Sequence, residues 1–136
     1  MDNPHALVFY RKNYLAGIAR PGALLFDGTN LTLCDNDLNP VWSAPLDVVQ
    51  VKKGMGILTV SLKGEKASIL TAIGSGTSPS PSDRLTAFLE SGTNIDGAPS
   101  VDEAWRASSF GRVGIATYAV GQKALREYFI ALGVLK

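Results

Sequence analysis

Acidic and amide side chains alternate in the stretch CDNDLNPVW, a spacing that the oxygen ligands of calcium also use. Asp35, Asp37 and Asn39 would supply the first three ligands of a calcium loop. Such a loop needs glycine at its sixth position and a bidentate carboxylate at its twelfth, and here Pro40 and Leu46 stand there. Asp and Asn also favour turns, because their side chains bond nearby backbone amides. The stretch therefore predicts a hairpin bend and no metal site.

Few side chains are of the kinds that catalyse reactions. The chain has one cysteine, Cys34, so it offers neither an internal disulfide nor a cysteine pair for zinc. We expect the one histidine, His5, to be mobile near a terminus, and a histidine-dependent triad needs a fixed imidazole. Asp102 and Glu103 are adjacent carboxylates, but capping of a predicted helix explains them. We predict that the protein is not an enzyme and uses no cofactor.

Basic and aromatic side chains are the remaining candidates for a binding site. Arg11 and Lys12 are adjacent, and Lys52 and Lys53 form a second pair. Basic side chains near strand ends bind anions, but they are also common as solvated residues that discourage strand pairing at a sheet edge. Trp42 is a further candidate, although tryptophan serves more often as a core or interface anchor. These five residues are the predicted binding residues.

Composition narrows the class of protein. The 136 residues are 46% apolar and 18% charged, and we expect one globular domain over 1–136. A net charge of +1 gives no field that would attract nucleic acid, so we predict no nucleic-acid partner. We see no signal peptide, and the apolar stretch VGIATYAVG is shorter than the ~20 residues of a membrane helix. We therefore expect a cytoplasmic protein.

Short strands dominate the first half of the chain, about 1–74. Apolar and polar residues alternate between turn residues there, which is typical of half-buried strands. Short turns between consecutive strands predict an antiparallel meander, which twists and curls toward a partly open barrel. Residues 4–20 suit either a helix or a strand. The predicted strands are 23–26, 31–34, 41–45, 48–52, 57–62 and 67–73.

Helices dominate the second half, about 80–136. Ser80 is the predicted N-cap of a helix over 81–91, because proline follows it at the first helical position. Gly92 is the predicted end of that helix. An α+β fold follows, with a bent antiparallel sheet against C-terminal helices.

Two further helices are predicted in this half. Ser100 and Glu103 match a capping box. The last helix is predicted over 122–133, with Gly133 at its end, while 113–120 could be its start or a further strand.

Residues 20–70 resemble a pleckstrin-homology-like or GRAM-like domain of bacterial type. Gly22-Ala23-Leu24, followed by Leu31 and Leu33, is similar to the entry into the meander of those domains. The run VWSAPL is similar to the step that precedes an alternating strand in the same family. The resemblance implies a near-barrel sheet whose open end is capped by an amphipathic helix, a place that the helix over 81–91 would take.

The resemblance also implies a binding role without catalysis. Members that bind phosphoinositides use basic residues around the loop that joins their first two strands. If LVFY is the first strand, Arg11 and Lys12 follow it and form an anion site. If 23–26 and 31–34 are the first two strands, the loop 27–30 carries no cation. We predict an interaction module for a protein partner or a membrane surface, and as the alternative a small carrier of lipid or another small molecule in an apolar cavity.

The C-terminal stretch ALREYFIALGVLK predicts self-association. Its apolar residues cover more of the helix than one core-facing stripe needs. Tyr128 and Ile130 point roughly 100° to either side of Phe129. We predict that these three residues contact a partner, either another protein or a second copy in a homodimer.

Overall fold

The structure, a computed structural model, describes residues 4–11, 19–54, 57–62, 68–71, 80–104 and 111–135. Within these ranges all strands precede all α-helices, and the prediction of an α+β fold is confirmed. The helical segments are α1 (Asp83–Glu90), α2, of which residues 101–104 are described, and α3 (Gly111–Ala131). The strands are β1 (His5–Arg11), β2 (Arg20–Phe26), β3 (Asn30–Cys34), β4 (Pro40–Pro45), β5 (Val49–Gly54), β6 (Ile57–Leu62) and β7 (Ser68–Thr71).

The described strands form one antiparallel sheet in the order β4-β3-β2-β1-β7-β6-β5. A single 3-10 turn (Leu46–Val48) joins the two edge strands, β4 and β5. Ala44 of one edge and Val51 of the other lie in the same buried cluster as Leu24 and Leu70 from the middle. Residues from opposite edges of one sheet can share a buried cluster only if the sheet curves and they lie on its inner face. The sheet is therefore strongly bent, as predicted, with a concave and a convex face.

Helix α3 packs on the concave face. Its side chains Leu125 and Phe129 are almost fully buried in the cluster that contains Val8 and Leu70. Burial of a leucine or phenylalanine stabilises a fold by about 1.5–3 kcal/mol each. Among the described helical segments none is long and apolar enough to cross a bilayer.

Helix α1 packs on the convex face, which differs from the placement that the family resemblance implies for the helix over 81–91. Its buried residues Leu85 and Leu89 join a second cluster with Leu7 and Phe9 of β1. Successive side chains of a strand point to opposite faces, so these odd-numbered residues face away from α3. The helix at the open side of the sheet is thus α3.

Strand β1 lies in the middle of the sheet and is covered on both faces. Every residue from His5 to Tyr10 is buried, which explains why apolar residues do not alternate with polar ones there. The open prediction for 4–20 is decided in favour of a strand over His5–Arg11, while 12–18 lie outside the described residues.

Helix α1 begins two residues later than predicted, because Ser82 and not Ser80 is its N-cap. The Ser82 hydroxyl accepts a hydrogen bond from the Leu85 amide at 3.0 Å. The Ser82 amide donates to Asn36 Oδ1 at 2.6 Å, and the Ser82 hydroxyl donates to the Asn36 carbonyl. The β3–β4 bend therefore decides which serine caps the helix, and this contact is not visible in the local sequence.

The capping box before α2 is confirmed. The Ser100 hydroxyl accepts from the Glu103 amide at 3.1 Å, and the Glu103 carboxylate accepts from the Ser100 amide at 3.3 Å. The ambiguous residues 113–120 are helical, since α3 begins at Gly111.

Helix α3 ends in a Schellman motif and a short tail. Gly133 has a φ of 82°, its amide donates to Ile130 O at 3.0 Å, and the Val134 amide donates to Phe129 O at 3.1 Å. The prediction that Gly133 stops this helix is confirmed. The Val134 carbonyl then accepts from the Val51 amide at 3.1 Å, so the tail pairs with edge strand β5.

Candidate functional site

The acidic stretch between β3 and β4 is a bend, as predicted. Asp35 Oδ1 accepts hydrogen bonds from the backbone amides of Asp37 and Asn39, each at 2.9 Å. Leu38 has a φ of 65°, and its amide donates to the Asp35 carbonyl at 3.0 Å. The Asp35 carboxylate thus organises the turn. No group of three or more potential metal ligands occurs among the described residues.

Arg11 and Lys52 lie on one face of the sheet. The register places Arg11 opposite Ile69, Ile69 opposite Thr59, and Thr59 opposite Lys52, so the four form one row across the convex face. The two cations are three strand spacings apart, about 14 Å. Ile69 between them is only 2% exposed, which interrupts the row as a binding surface. Lys12 lies outside the described residues.

Lys53 and Trp42 lie elsewhere. Lys53 is exposed and shares its face with Val51, the concave one. Trp42 sits on the opposite edge strand across from Leu33, half-buried against the concave core. The structure therefore does not gather the predicted binding residues into one site, and as separate contacts they stay predictions.

The expectation of a mobile histidine was wrong. His5 is 5% exposed, its Nε2 donates to the Leu89 carbonyl at 2.8 Å, and its ring lies 5.0 Å from the Phe88 ring. Its backbone amide also donates to Thr93 O at 2.9 Å. The imidazole satisfies one of the last carbonyls of α1, which helices leave without an internal partner. It is fixed but covered, and its Nε2 is occupied by the hydrogen bond to the Leu89 carbonyl.

The Asp27 carboxylate stabilises the β2–β3 turn by accepting backbone hydrogen bonds. Asp27 Oδ1 accepts from the Asn30 amide at 2.7 Å and from the Thr29 amide at 2.8 Å. These hydrogen bonds, that from Asn30 first, hold the pKa of the Asp27 carboxyl below its usual value. Gly28 in the same turn has a φ of 97°, which other residues rarely adopt. The carboxylate therefore serves the turn.

Three weak acids have pKa values that burial raises. Burial raises the pKa of the Cys34 thiol, and the nearby Asp35 carboxylate raises it further. Burial also raises the pKa of Tyr10, again with Asp35 adding and Arg20 opposing, and the pKa of Tyr128. The neutral form is favoured in each case, and a neutral thiol or phenol is a poor nucleophile.

The three predicted interface residues have different surroundings. Phe129 is fully buried in the core of its own chain, so it cannot form a contact surface for a partner. Tyr128 is half-buried against that core, and its hydroxyl oxygen is buried without a hydrogen-bond partner among the described residues. Ile130 is 48% exposed. The predicted interface is thereby reduced to Ile130 and the open edge of Tyr128.

An exposed stripe along α3 is the candidate functional site. Val120 is 57% exposed and, with Ile130, makes up the exposed large hydrophobic residues of the described part of the chain. Lys123 and Glu127, both exposed, lie between them. The spacing of three, four and three residues keeps all four side chains on one side of a helix. We call these four residues the outward face of α3.

The sequence signal for Val120 was missed for a physical reason. Glycine and β-branched residues in 111–121 lower helix propensity, so the sequence leaves 113–120 open between a helix and a strand and does not show which way Val120 points.

Neither a protein-family model nor a curated protein matches this chain. The similarity to pleckstrin-homology-like and GRAM-like domains therefore stays a prediction.

Proposed function

We propose that the protein is a non-catalytic interaction module that binds a protein partner through the outward face of α3. The observation that carries the proposal is the exposure of Val120 and Ile130, at 57% and 48%, on one side of one helix. Exposed apolar side chains that share one helix face with charged side chains are typical of a surface that a partner covers.

A protein fits this face better than a membrane surface does. On the outward face Lys123 and Glu127 cancel each other's charge, whereas the polar face of a helix that lies on an anionic membrane carries Lys and Arg in excess. Arg11 and Lys52 lie on the convex face, away from α3, with the buried Ile69 between them. A cytoplasmic location remains part of the proposal.

Because α3 fills the concave face of the sheet, an interaction module is a better interpretation than a carrier. Leu125 and Phe129 of α3 occupy that face, which is where a curled sheet would hold an apolar ligand. A lipid would have to displace α3 from its core. The chemistry of the titratable groups also supports a non-catalytic role, since His5 is covered and the pKa of the Cys34 thiol is raised.

Site-specific photocrosslinking tests the proposal. A benzophenone amino acid is placed at position 120, at position 130, or at Glu90 as a control, in the full chain expressed in its own cells. Glu90 is also exposed but lies on α1, on the other face of the sheet. We expect discrete protein adducts at positions 120 and 130 and none at Glu90. Equal yields at all three positions, or no adduct at 120 and 130, would contradict the proposal.

A further inference from the structure

The exposed residues of α3 between positions 119 and 131 are arranged symmetrically about position 125. They form three pairs whose members lie six, five and two residues before and after position 125. In order they are Ala119, Val120, Lys123, Glu127, Ile130 and Ala131. Their spacing is also the alternation of three and four that lets two helices pack along a seam.

The chemistry of these residues is matched in the same way. The residues at equal distance from position 125 are two alanines, a valine with an isoleucine, and a lysine with a glutamate. If two α3 helices lie antiparallel, with a two-fold axis at the level of position 125, each residue meets its counterpart. Val120 packs against Ile130 of the partner subunit, and Lys123 meets Glu127 of the partner subunit.

We propose that the outward face of α3 is an isologous contact between two copies of this chain, with the two α3 helices antiparallel. The proposal rests on the proposed function, because it names the partner of the same surface. A two-fold contact uses one surface twice, so that surface must be complementary to itself. A parallel pair in register would set Lys123 beside its own copy and Glu127 beside its own copy, and both contacts would be repulsive.

The contact is small, so the dimer is weak. Positions 119 to 131 span about 18 Å of helix at 1.5 Å per residue. One helix against one helix falls at the low end of specific interfaces, and we expect a dissociation constant on the order of 100 µM. Lys123 and Glu127 lie near the middle of this face, and their long side chains extend to the edges of the helix pair, where their charged ends stay in water. They contribute more to register and orientation than to affinity.

Charge reversal followed by mixing tests this arrangement. Lys123→Glu places two carboxylates on the face, and Glu127→Lys places two ammonium groups there. Sedimentation velocity is run at roughly 20 and 500 µM, on either side of the expected dissociation constant. We expect the unmodified chain to dimerise at the higher concentration and each variant to associate about tenfold more weakly, because both symmetric pairs become repulsive.

Mixing the two variants distinguishes a contact between two chains from a contact within one helix. Lys123 and Glu127 are also four residues apart, so each single variant disturbs a pair inside its own helix. Mixing the two variants leaves that disturbance in place but restores both pairs between chains. We expect the equimolar mixture to form a heterodimer about as well as the unmodified chain dimerises. Thermal unfolding of each variant alone checks that the fold is retained.

Two results would overturn the inference. The first is an unmodified chain that stays monomeric at the higher concentration, and the second is a dimer that neither reversal weakens. In either case, crosslinking of positions 120 and 130 to a different protein would leave the proposed interaction module in place. Failure of that crosslinking as well would remove both proposals.

Discussion

Gly92 and His5 are packed so closely that each limits what the other position can hold. A Cβ atom at Gly92 would overlap Cε1 of the His5 ring and lie 3.2 Å from both ring nitrogens. The ring has little room to yield, because it is 5% exposed, bonded to Leu89 O at 2.8 Å and 5.0 Å from the Phe88 ring. We predict that Gly92→Ala displaces the imidazole and breaks its hydrogen bond.

The cost can be worked out from these contacts. Overpacking a filled site costs about 1–3 kcal/mol, and the lost hydrogen bond adds about 0.5–1.5 kcal/mol. Replacing glycine lowers the entropy of the unfolded chain and offsets about 0.4–1 kcal/mol. We therefore expect Gly92→Ala to lower the free energy of unfolding by about 2 kcal/mol. With His5→Ala already present the overlap is gone, and the same change should cost about zero.

Urea unfolding followed by circular dichroism, on the four proteins of this double-mutant cycle, measures the coupling. Gly28→Ala serves as a matched control, since its cost comes from a φ of 97° with no atom within 4 Å of the added Cβ. That cost should be the same with and without His5. If Gly92→Ala costs the same in both backgrounds, to within about 0.5 kcal/mol, the steric explanation is refuted.

Substitutions at four other positions test the turns, the helix ends and the concave core. Asn36→Ala should lower the free energy of unfolding by about 1–2 kcal/mol in urea titrations, and Asn36→Asp, which keeps the acceptor for the Ser82 amide, should cost less. Gly133→Ala should cost about 1 kcal/mol by the same measurement, because alanine is strained at a φ of 82°. The pKa of Asp27 is held below its ordinary 3.8, so its stabilising effect is complete above about pH 4 and is lost as the pH falls through the lowered value. Asp27→Asn should therefore make stability depend less on pH between roughly pH 2 and 5 in acid titrations, and an unchanged profile would contradict this. Tyr128→Phe removes a buried hydroxyl that has no partner among the described residues, so calorimetry should show no loss of stability and a gain of up to about 1 kcal/mol.

Local sequence patterns were sufficient where the physical cause is local. The capping box of Ser100 and Glu103 and the helix end at Gly133 depend on residues within one turn, and both were predicted. The N-cap of α1 was misassigned because two serines precede the helix. The choice between them depends on hydrogen bonds that Ser82 donates to Asn36, which is 46 residues away.

Strand β1 and the first half of α3 could not be predicted from local sequence patterns, for a different reason. A strand covered on both faces loses the alternation by which strands are recognised, and β1 is buried from His5 to Tyr10. Residues 111–121 contain three glycines, which contribute little helix propensity of their own. Packing against the rest of the fold decides both segments.

The candidate site was predicted only in part for the same reason. The sequence showed that apolar residues surround the last helix, but not which of them the sheet would cover. Phe129 was expected at a partner and is fully buried, while Ile130 is 48% exposed. The rotation of α3 about its own axis determines which of its residues the sheet buries. That rotation depends on packing against strands that are distant in the sequence.

The strand order also has a kinetic consequence. Every ladder between described strands joins consecutive strands except β1–β7, which brings Tyr10 opposite Leu70, sixty residues later. Two meanders, β1–β4 and β5–β7, can therefore form by fast local closure, whereas their union is a slower search across a long loop. Phe129 packs in a cluster drawn from both meanders, so it has no complete surface to bind until that search ends. Formation of the individual strands is then not the step that limits how soon α3 docks on the sheet; the pairing of β1 with β7 is.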